Sequence, residues 1–506
     1  MHSVLLALLI VCFSFIILFE NWDLYTLLFV ANPSFIVKLK YYNLSRGFHL
    51  LLICILIYLL LQLLMVILVA RNVKTENDYY LAGGKLGYSF ATLSIFATWF
   101  GVETCMGSSS VIYSGGLFSS RAEPFAYTLC LLLMSFLLAT RLWKTRMTTL
   151  SDLFRERYQS KFVEKLSVCV IVPSSMIWAA AQIKAFGHIV SSVAPVSLEA
   201  SITFAVAIVI AYAVFGGLIG DVITDVIQGI VLIIGLCLLF YFAIQYFFDH
   251  EISFYEIDPK RLNLIPDGES IWQRIDAWCV PIIGSLISQE LIFRILASKT
   301  ATVAKRSCQI AAGLYFLIGL LPVGLGILGP HILPSIQHPD NFLMEIATFL
   351  LPYPLLIVFT GALISAILST VDSTLLSISA FTTHNLMGSF YFKRTKTQQL
   401  ILAKLSVVIV GLVAYILALR DEGIYDLVIW ASSLGTAGLA VVAIMALYTP
   451  KFGNGLAASL TLITGIVAVP IFEKVPAIEA PYLATVVLCF LVFFFASVSK
   501  RKVPST

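Results

Sequence analysis

Apolar runs of roughly 17–25 residues recur along this chain from residue 49 to residue 498, each long enough to cross about 30 Å of hydrocarbon as a helix. Inside a bilayer a run of that kind must satisfy its own backbone hydrogen bonds, and a helix does so within one segment. Only 12% of the 506 residues are charged and mean hydropathy is +0.96, whereas a soluble protein carries about 25% charged residues. The chain is therefore expected to be an all-α polytopic membrane protein. Spans are predicted near 49–70, 86–114, 122–143, 163–191, 199–215, 222–247 and 273–297, then near 308–329, 353–383, 399–419, 425–448, 454–472 and 482–498.

The net charge of +4 is less informative than its placement, and no nucleic-acid partner is expected. Alternate loops collect Arg71, Lys74, Arg141, Lys144, Arg146, Arg155, Arg157, Lys299, Lys305, Arg306, Lys393, Arg394 and Lys500–Lys502, while the opposite loops hold few basic residues. The positive-inside rule makes the rich set, and with it the C-terminus, cytoplasmic. Nine cysteines lie in or beside apolar segments without metal-ligand spacing, and are read as small core residues. Residues 3–19 form either an extra membrane helix or the apolar part of a cleaved signal. The absence of Lys and Arg before the run and of a clear cleavage site favours the helix. Compact loops and the lack of an appended module suggest a bacterial inner membrane.

Two runs carry helix-breaking content. The first, 86–114, contains Thr98, Gly101, Glu103, Thr104 and Gly107; the second, 273–297, contains Pro281, Gly284, Ser285, Ser288, Gln289 and Glu290, with Pro281 and Gly284 as the expected break. If each opens a set of five helices, the sets span 86–247 and 273–448. An odd helix number inverts the second against the first, a common plan of secondary transporters. The flanking parts are then an extension at 1–48, an accessory helix and loop at 49–85, and two C-terminal helices at 454–506. Within GALISAILSTVDSTLLSISA (361–380), Ala366, Ser369 and Thr370 fall at i, i+3 and i+4 on one helix face. Hydroxyls in a membrane helix normally face protein or water, and this face offers oxygens to a small hard cation.

Four segments follow one another in consistent order: DYYLAGGKLGYSFATLSIFATWFGVETCMGSSSVIYSGG (78–116), GGLIGDVITDVIQGIVLIIG (216–235), FRILASKTATVAKR (293–306) and SAILSTVDSTLLSISA (365–380). Together they resemble the sodium:solute symporter family, over about residues 49–500. The resemblance implies a leucine-transporter-type fold of 5+5 inverted repeats, thirteen core and accessory helices, and alternating access driven by sodium, with no organic cofactor. It also implies a sodium site built from the carbonyls of Ala97, Phe100 and Ala366 and the hydroxyls of Ser369 and Thr370. Asp225 matches a family aspartate near the inner ion exit, which implies a release or relay role; its position after Gly216, Gly217 and Gly220 equally suits a helix-capping carboxylate.

The solute side is read more thinly. Glu123 matches a glutamate that holds hydroxyls in sugar-transporting members, but Trp99 and Thr104 stand where those members carry an amide, and proline-type members carry an aspartate at Trp99. Trp99, Glu103, Thr104 and Glu123 are expected around the central cavity, with Gln289 on the second broken helix. Lys184 and His188, spaced i, i+4, either line the cavity or reach toward an interface. Asp372 is expected to pair with Lys184 or Arg294, and Arg294 to anchor the inner end of its helix by a salt bridge or to lipid headgroups. The leading expectation is a sodium-coupled symporter of a small organic solute in a lipid membrane. Proton coupling through Asp225, Asp372 or His188, and a transporter-like solute sensor, are the alternatives; no nucleophile–base pairing or metal cluster points to an enzyme.

Overall fold

The computed structural model describes residues 44–70, 76–193, 196–336, 338–420 and 422–499. The expected helix at 3–19 lies outside them. Among the described residues the secondary structure is helical throughout, apart from one isolated bridge between Leu86 and Ser298. The first long helix, α1, is Leu44–Ala70. A broken run follows: α2 (Tyr88–Trp99), a non-helical Phe100–Gly101, a wide π turn at Glu103–Gly107 and α3 (Ser108–Gly115). Next come α4 (Ala122–Thr145) and α5 (Lys161–Val193).

The helix α6, Leu198–Asp249, is 52 residues long. At 1.5 Å per residue an unbroken helix of that length would measure roughly 78 Å, far more than a bilayer's thickness. It is two segments joined at Gly217, whose φ of 58° and ψ of 176° are non-helical. This is where the sequence places a gap between two spans. A side chain at Gly217 would meet the Tyr79 ring at 2.6 Å, so glycine is required both for the dihedral and for the contact.

The second half begins with α7 (Ile271–Ser285) and α8 (Gln289–Ala297), bent by 48°. The break is at Leu286–Ser288, beyond the expected Pro281 and Gly284. Pro281 lies inside α7, where the helix accommodates it, and Gly284 serves packing: a Cβ there would sit 2.1 Å from the Ser432 carbonyl. The remaining helices are α9 (Ala301–Ile332), α10 (Tyr353–Ala380, continued by a π turn to Met387), α11 (Lys396–Ala418), α12 (Ile424–Ser433), α13 (Thr436–Tyr448), α14 (Gly455–Phe472) and α15 (Pro481–Ser499). A third break, at Leu434–Gly435 with a 46° bend, was not foreseen; Gly435 takes φ 69° there. Two expected loops contain short helices, Leu150–Tyr158 and Phe342–Leu350.

The centre of the molecule is α10. In its most apolar 18-residue stretch 83% of residues are buried, against 33% for α11. It packs along α6 and α5, and against α1, α2 and α11. A helix apolar all round and carrying hydroxyls is thus enclosed by protein, while α11 turns Ile401, Leu405, Ile409, Leu412 and Ile416 outward. Cys12 lies outside the described residues, and the other eight cysteines divide: Cys105, Cys130, Cys308 and Cys489 are buried, Cys54 and Cys279 half-buried, but Cys169 and Cys237 are exposed. For the last two the core reading is corrected, since a thiol on a lipid-facing helix behaves as a small apolar group.

Candidate functional site

Two adjoining polar clusters meet where α2 breaks against α10. In the first, the Ser369 hydroxyl donates to the Ala97 carbonyl at 2.8 Å and to Ala366 at 3.0 Å. The Thr370 hydroxyl donates to the Thr98 carbonyl at 2.9 Å and to Ala366 at 3.0 Å. The carbonyls of Ala97 and Thr98 belong to the last turn of α2, where the chain leaves the helix and its usual i+4 donors are lost. Ala97, Ala366, Ser369 and Thr370 are therefore brought together, with Thr98 as an unforeseen fifth member. Phe100 sits at the break itself (φ −86°, ψ 65°), its N–H donating to Phe96 at 2.8 Å; among the described hydrogen bonds none links its carbonyl to α10.

The second cluster lies one residue away and centres on Arg294 of α8, which is fully buried. Its Nη2 donates to Asp221 Oδ2 at 2.6 Å, Asp225 Oδ2 at 3.0 Å and the Ser373 hydroxyl at 2.6 Å, its Nε to Ser94 at 3.0 Å and its Nη1 to the Glu290 carbonyl at 3.1 Å. Asp225 also accepts from Ser94 at 2.5 Å and from the Thr98 hydroxyl at 3.4 Å. Thr98 thus touches both clusters, by its carbonyl and by its hydroxyl. Ser373 does likewise, donating to Asp221 at 2.7 Å and to the Ser369 carbonyl at 2.9 Å.

These contacts decide several sequence expectations. Arg294 forms buried salt bridges and does not reach headgroups. Asp225 is no cap: it is fully buried within α6 and bound by side chains from α2 and α8. Asp372 forms an ion pair with neither Lys184 nor Arg294; its Oδ1 is buried without a hydrogen-bond partner, as are Asp221 Oδ1 and Asp225 Oδ1. Lys184 is placed apart, its Nζ donating to the Arg420 and Glu422 carbonyls at 2.5 and 2.7 Å. His188 Nδ1 is 2.9 Å from Asn341 Oδ1. Both tie α5 to neighbouring loops. Asp221, Ser94 and Ser373 had no expected role, although the i, i+4 spacing of Asp221 and Asp225 puts two carboxylates on one face of α6 and was open to notice.

A cleft below the break is lined by Thr98, Trp99, Trp178, Gln289, Glu290 and Thr370, among others. Gln289 is fixed by Leu150 N–H, which donates to its Oε1 at 3.0 Å, and by its own Nε2 bond to the Thr148 carbonyl at 3.0 Å. On the other side of Trp99, Glu103 accepts from Gln182 Nε2 at 2.5 Å. Gln182 Oε1 in turn receives the Val102 N–H at 3.2 Å. Glu123 accepts the Tyr315 hydroxyl, which stands 2.8 Å from Thr104 Oγ1. Arg121, the residue two before Glu123, pairs with Glu269 instead. Trp99, Tyr127 and Trp178 form a chain of edge-to-face rings, with centroids 5.8 and 6.3 Å apart. Gln182 and Tyr315, which hold the two glutamates, carried no signal in the sequence because their partners are distant in the chain.

Among solved structures, a sodium-coupled sialic acid symporter in a substrate-bound outward-open state superposes with a TM-score of 0.72, covering 90% of this chain and 98% of that one at 17% identity. Mhp1, a nucleobase-cation-symport-1 family transporter, follows at a TM-score of 0.57, covering 85% and 96% at 13% identity. Both likenesses show the fold, that of leucine-transporter-type proteins. In sequence, the high-affinity choline transporter 1 of Drosophila melanogaster is 26% identical over 74% of this chain, and the match spans 63% of the fly protein's length. The human choline transporter is 24% identical over 76% of this chain and 70% of its own, and the osmoregulated proline transporter OpuE of Bacillus subtilis is 24% identical over 76% and 82%. The sequence profile of the sodium:solute symporter family matches residues 79–465. With that profile covering most of its length, this multi-pass membrane chain belongs to the sodium:solute symporter family.

Proposed function

We propose that this protein is a secondary transporter that moves a small organic solute across the membrane together with sodium. The observation that carries the reading is the convergence of oxygens from two helices on one point. The carbonyls of Ala97 and Thr98 come from a broken helix and the carbonyl of Ala366 and hydroxyls of Ser369 and Thr370 from the buried α10. A hard monovalent cation takes several oxygens of this kind, and unwound backbone at a transporter's midplane supplies them. The hydroxyl protons now donated to those carbonyls turn away when a cation enters between them. With no carboxylate in direct contact the ion is held weakly enough to leave on each cycle. Sodium would bridge α2 to α10, and the five-helix sets at 86–247 and 273–448 would rock about the bridge, with the C-terminus on the cytoplasmic side.

Uptake into proteoliposomes under an inward sodium gradient, against choline-free potassium as the control cation, tests the reading. Ser369→Ala/Thr370→Ala should abolish the sodium-dependent component and leave the protein folded. Uptake indifferent to sodium and to both substitutions would overturn it.

A second reading is favoured by one specific observation. Asp221 and Asp225 share the single Arg294 guanidinium, Asp372 is buried with no ion pair, and each of the three has an oxygen without a partner. Three carboxylates and one cation need a further positive charge, which a proton supplies as well as sodium does. Solute uptake driven by an inward proton gradient in sodium-free medium would select this reading.

A further inference from the structure

We infer that the transported solute is an organic cation, its charge met by Glu103 and Glu123 and its apolar body by the Trp99, Tyr127 and Trp178 rings. The inference rests on the transport reading above and adds the chemical class of the solute.

Both glutamates are buried to within 1% exposure, on the π turn of the first broken run and at the start of α4. Burying a carboxylate is costly unless a positive group answers it. Among the described residues no salt bridge includes either one. Their hydrogen bonds come from neutral groups, Gln182 and Tyr315, and Glu123 Oε1 is buried with no partner at all. The nearby cations are committed elsewhere: Arg121 to Glu269, Lys184 to loop carbonyls, Arg294 to Asp221 and Asp225. Two acids with no base, one of them with an unanswered oxygen, is the arrangement that an arriving cation completes. Aromatic faces in the same neighbourhood suit an ammonium group with an apolar shell.

The same geometry disfavours other solutes. An anion would add a third negative charge. A zwitterion would bring a carboxylate, and the usual receiver for it is the free backbone N–H at a helix break. Here the Val102 N–H is already given to Gln182 and the Cys105 N–H to the Gly101 carbonyl at 3.3 Å, which removes two of the donors such a carboxylate would use. Glycine at 101 is part of the same device, because a Cβ there would lie 2.5 Å from Glu103 Oε2.

The test uses purified full-length protein in proteoliposomes under an inward sodium gradient. Radiolabelled choline and tetramethylammonium serve as cationic probes, 3,3-dimethylbutan-1-ol as the uncharged shape match of choline, and glycine betaine, proline and sialic acid as zwitterionic and anionic competitors. Wild type should take up a cationic probe, and the uncharged match should compete roughly 30-fold less well or worse. Glu103→Gln and Glu123→Gln should each raise the cation's KM and shrink that discrimination ratio, with sodium activation of residual uptake unchanged. A purely structural role would lower the amount of active protein and leave the ratio alone. The wild-type comparison needs no variant to fold. Sodium-dependent uptake confined to betaine, proline or sialic acid would overturn the cation and leave sodium coupling standing. Cation uptake without sodium dependence would do the reverse. The absence both of cationic-probe uptake and of tryptophan-fluorescence quenching by those probes in detergent would also overturn the inference.

Discussion

Arg294 holds more of the site together than any other side chain. Its guanidinium reaches residues from α2, α6 and α10 while being anchored on α8, so four helices share one charge. Removing one partner of a buried ion pair leaves the other uncompensated, at about 3–5 kcal/mol. Arg294→Leu is therefore expected to destabilise by that amount in denaturant titration of detergent-solubilised protein, and adding Asp221→Asn and Asp225→Asn should restore part of it. Ser373→Ala, which removes hydroxyl bonds to Asp221 and Arg294 but no charge, should lose only about 1–2 kcal/mol. The contrast checks that charge, rather than packing, dominates. At this scale the sequence was uneven to read. Ser369, Thr370 and Ala366 could be grouped because they are neighbours on one helix turn. The Arg294 partners Asp221, Asp225 and Ser373 lie 69–79 residues away along the chain and Ser94 lies 200 away, and nothing local announces a pairing of that span. Lys184 illustrates the opposite error: its position within an apolar run looks like a cavity residue, yet its long stem carries the ammonium to loop carbonyls.

Helix breaks are the elements that shape the site, and glycine has a different job at each. At Gly217 the dihedral itself excludes other residues, and the Tyr79 ring that would be struck is fixed by its hydroxyl bond to Ala213 at 3.2 Å. Gly217→Ala should cost about 1–3 kcal/mol, read as a lowered unfolding midpoint. Gly220→Ala, whose Cβ would meet only Val66 at 3.7 Å, should stay within about 0.5 kcal/mol. The existence of spans was legible because hydrocarbon demands long apolar runs. The place of a break was legible where two apolar runs part, as at Gly217, and where glycine sat among polar residues, as at Gly101. Pro281 misled because a proline can remain inside a membrane helix when its surroundings satisfy the freed carbonyl. The break at Gly435, between Ser432–Ser433 and Thr436, has the same composition as that at Gly101 and was readable by the same rule.

On the scale of the whole molecule, the connection carrying Leu150–Tyr158 straps the two halves of the chain. Gln289 at the start of α8 bonds to Thr148 and Leu150. Asn385, beyond α10, accepts from Thr149 at 2.9 Å and donates to Asp152 at 2.8 Å and Glu164 at 3.0 Å. Releasing the strap should open the cleft. With Ser288→Cys as a reporter on the cleft wall, Gln289→Ala is expected to speed modification by a membrane-impermeant thiol reagent severalfold; an unchanged rate would show that the strap does not gate access. The multi-pass helical architecture was legible from the recurring apolar runs, but the strap was not, since a short amphipathic helix between two spans looks like any polar loop. The buried Arg294–Asp221–Asp225 group also has a consequence for biogenesis. Asp221 and Asp225 leave the ribosome about 70 residues before Arg294. A carboxylate in a lone helix resists insertion by up to about 2.5–3.5 kcal/mol at the helix centre and by less near its end, where these two stand just past the Gly217 break. The second part of α6 is therefore made before the arginine that neutralises it, and protonation or shelter by the insertion machinery would bridge that interval.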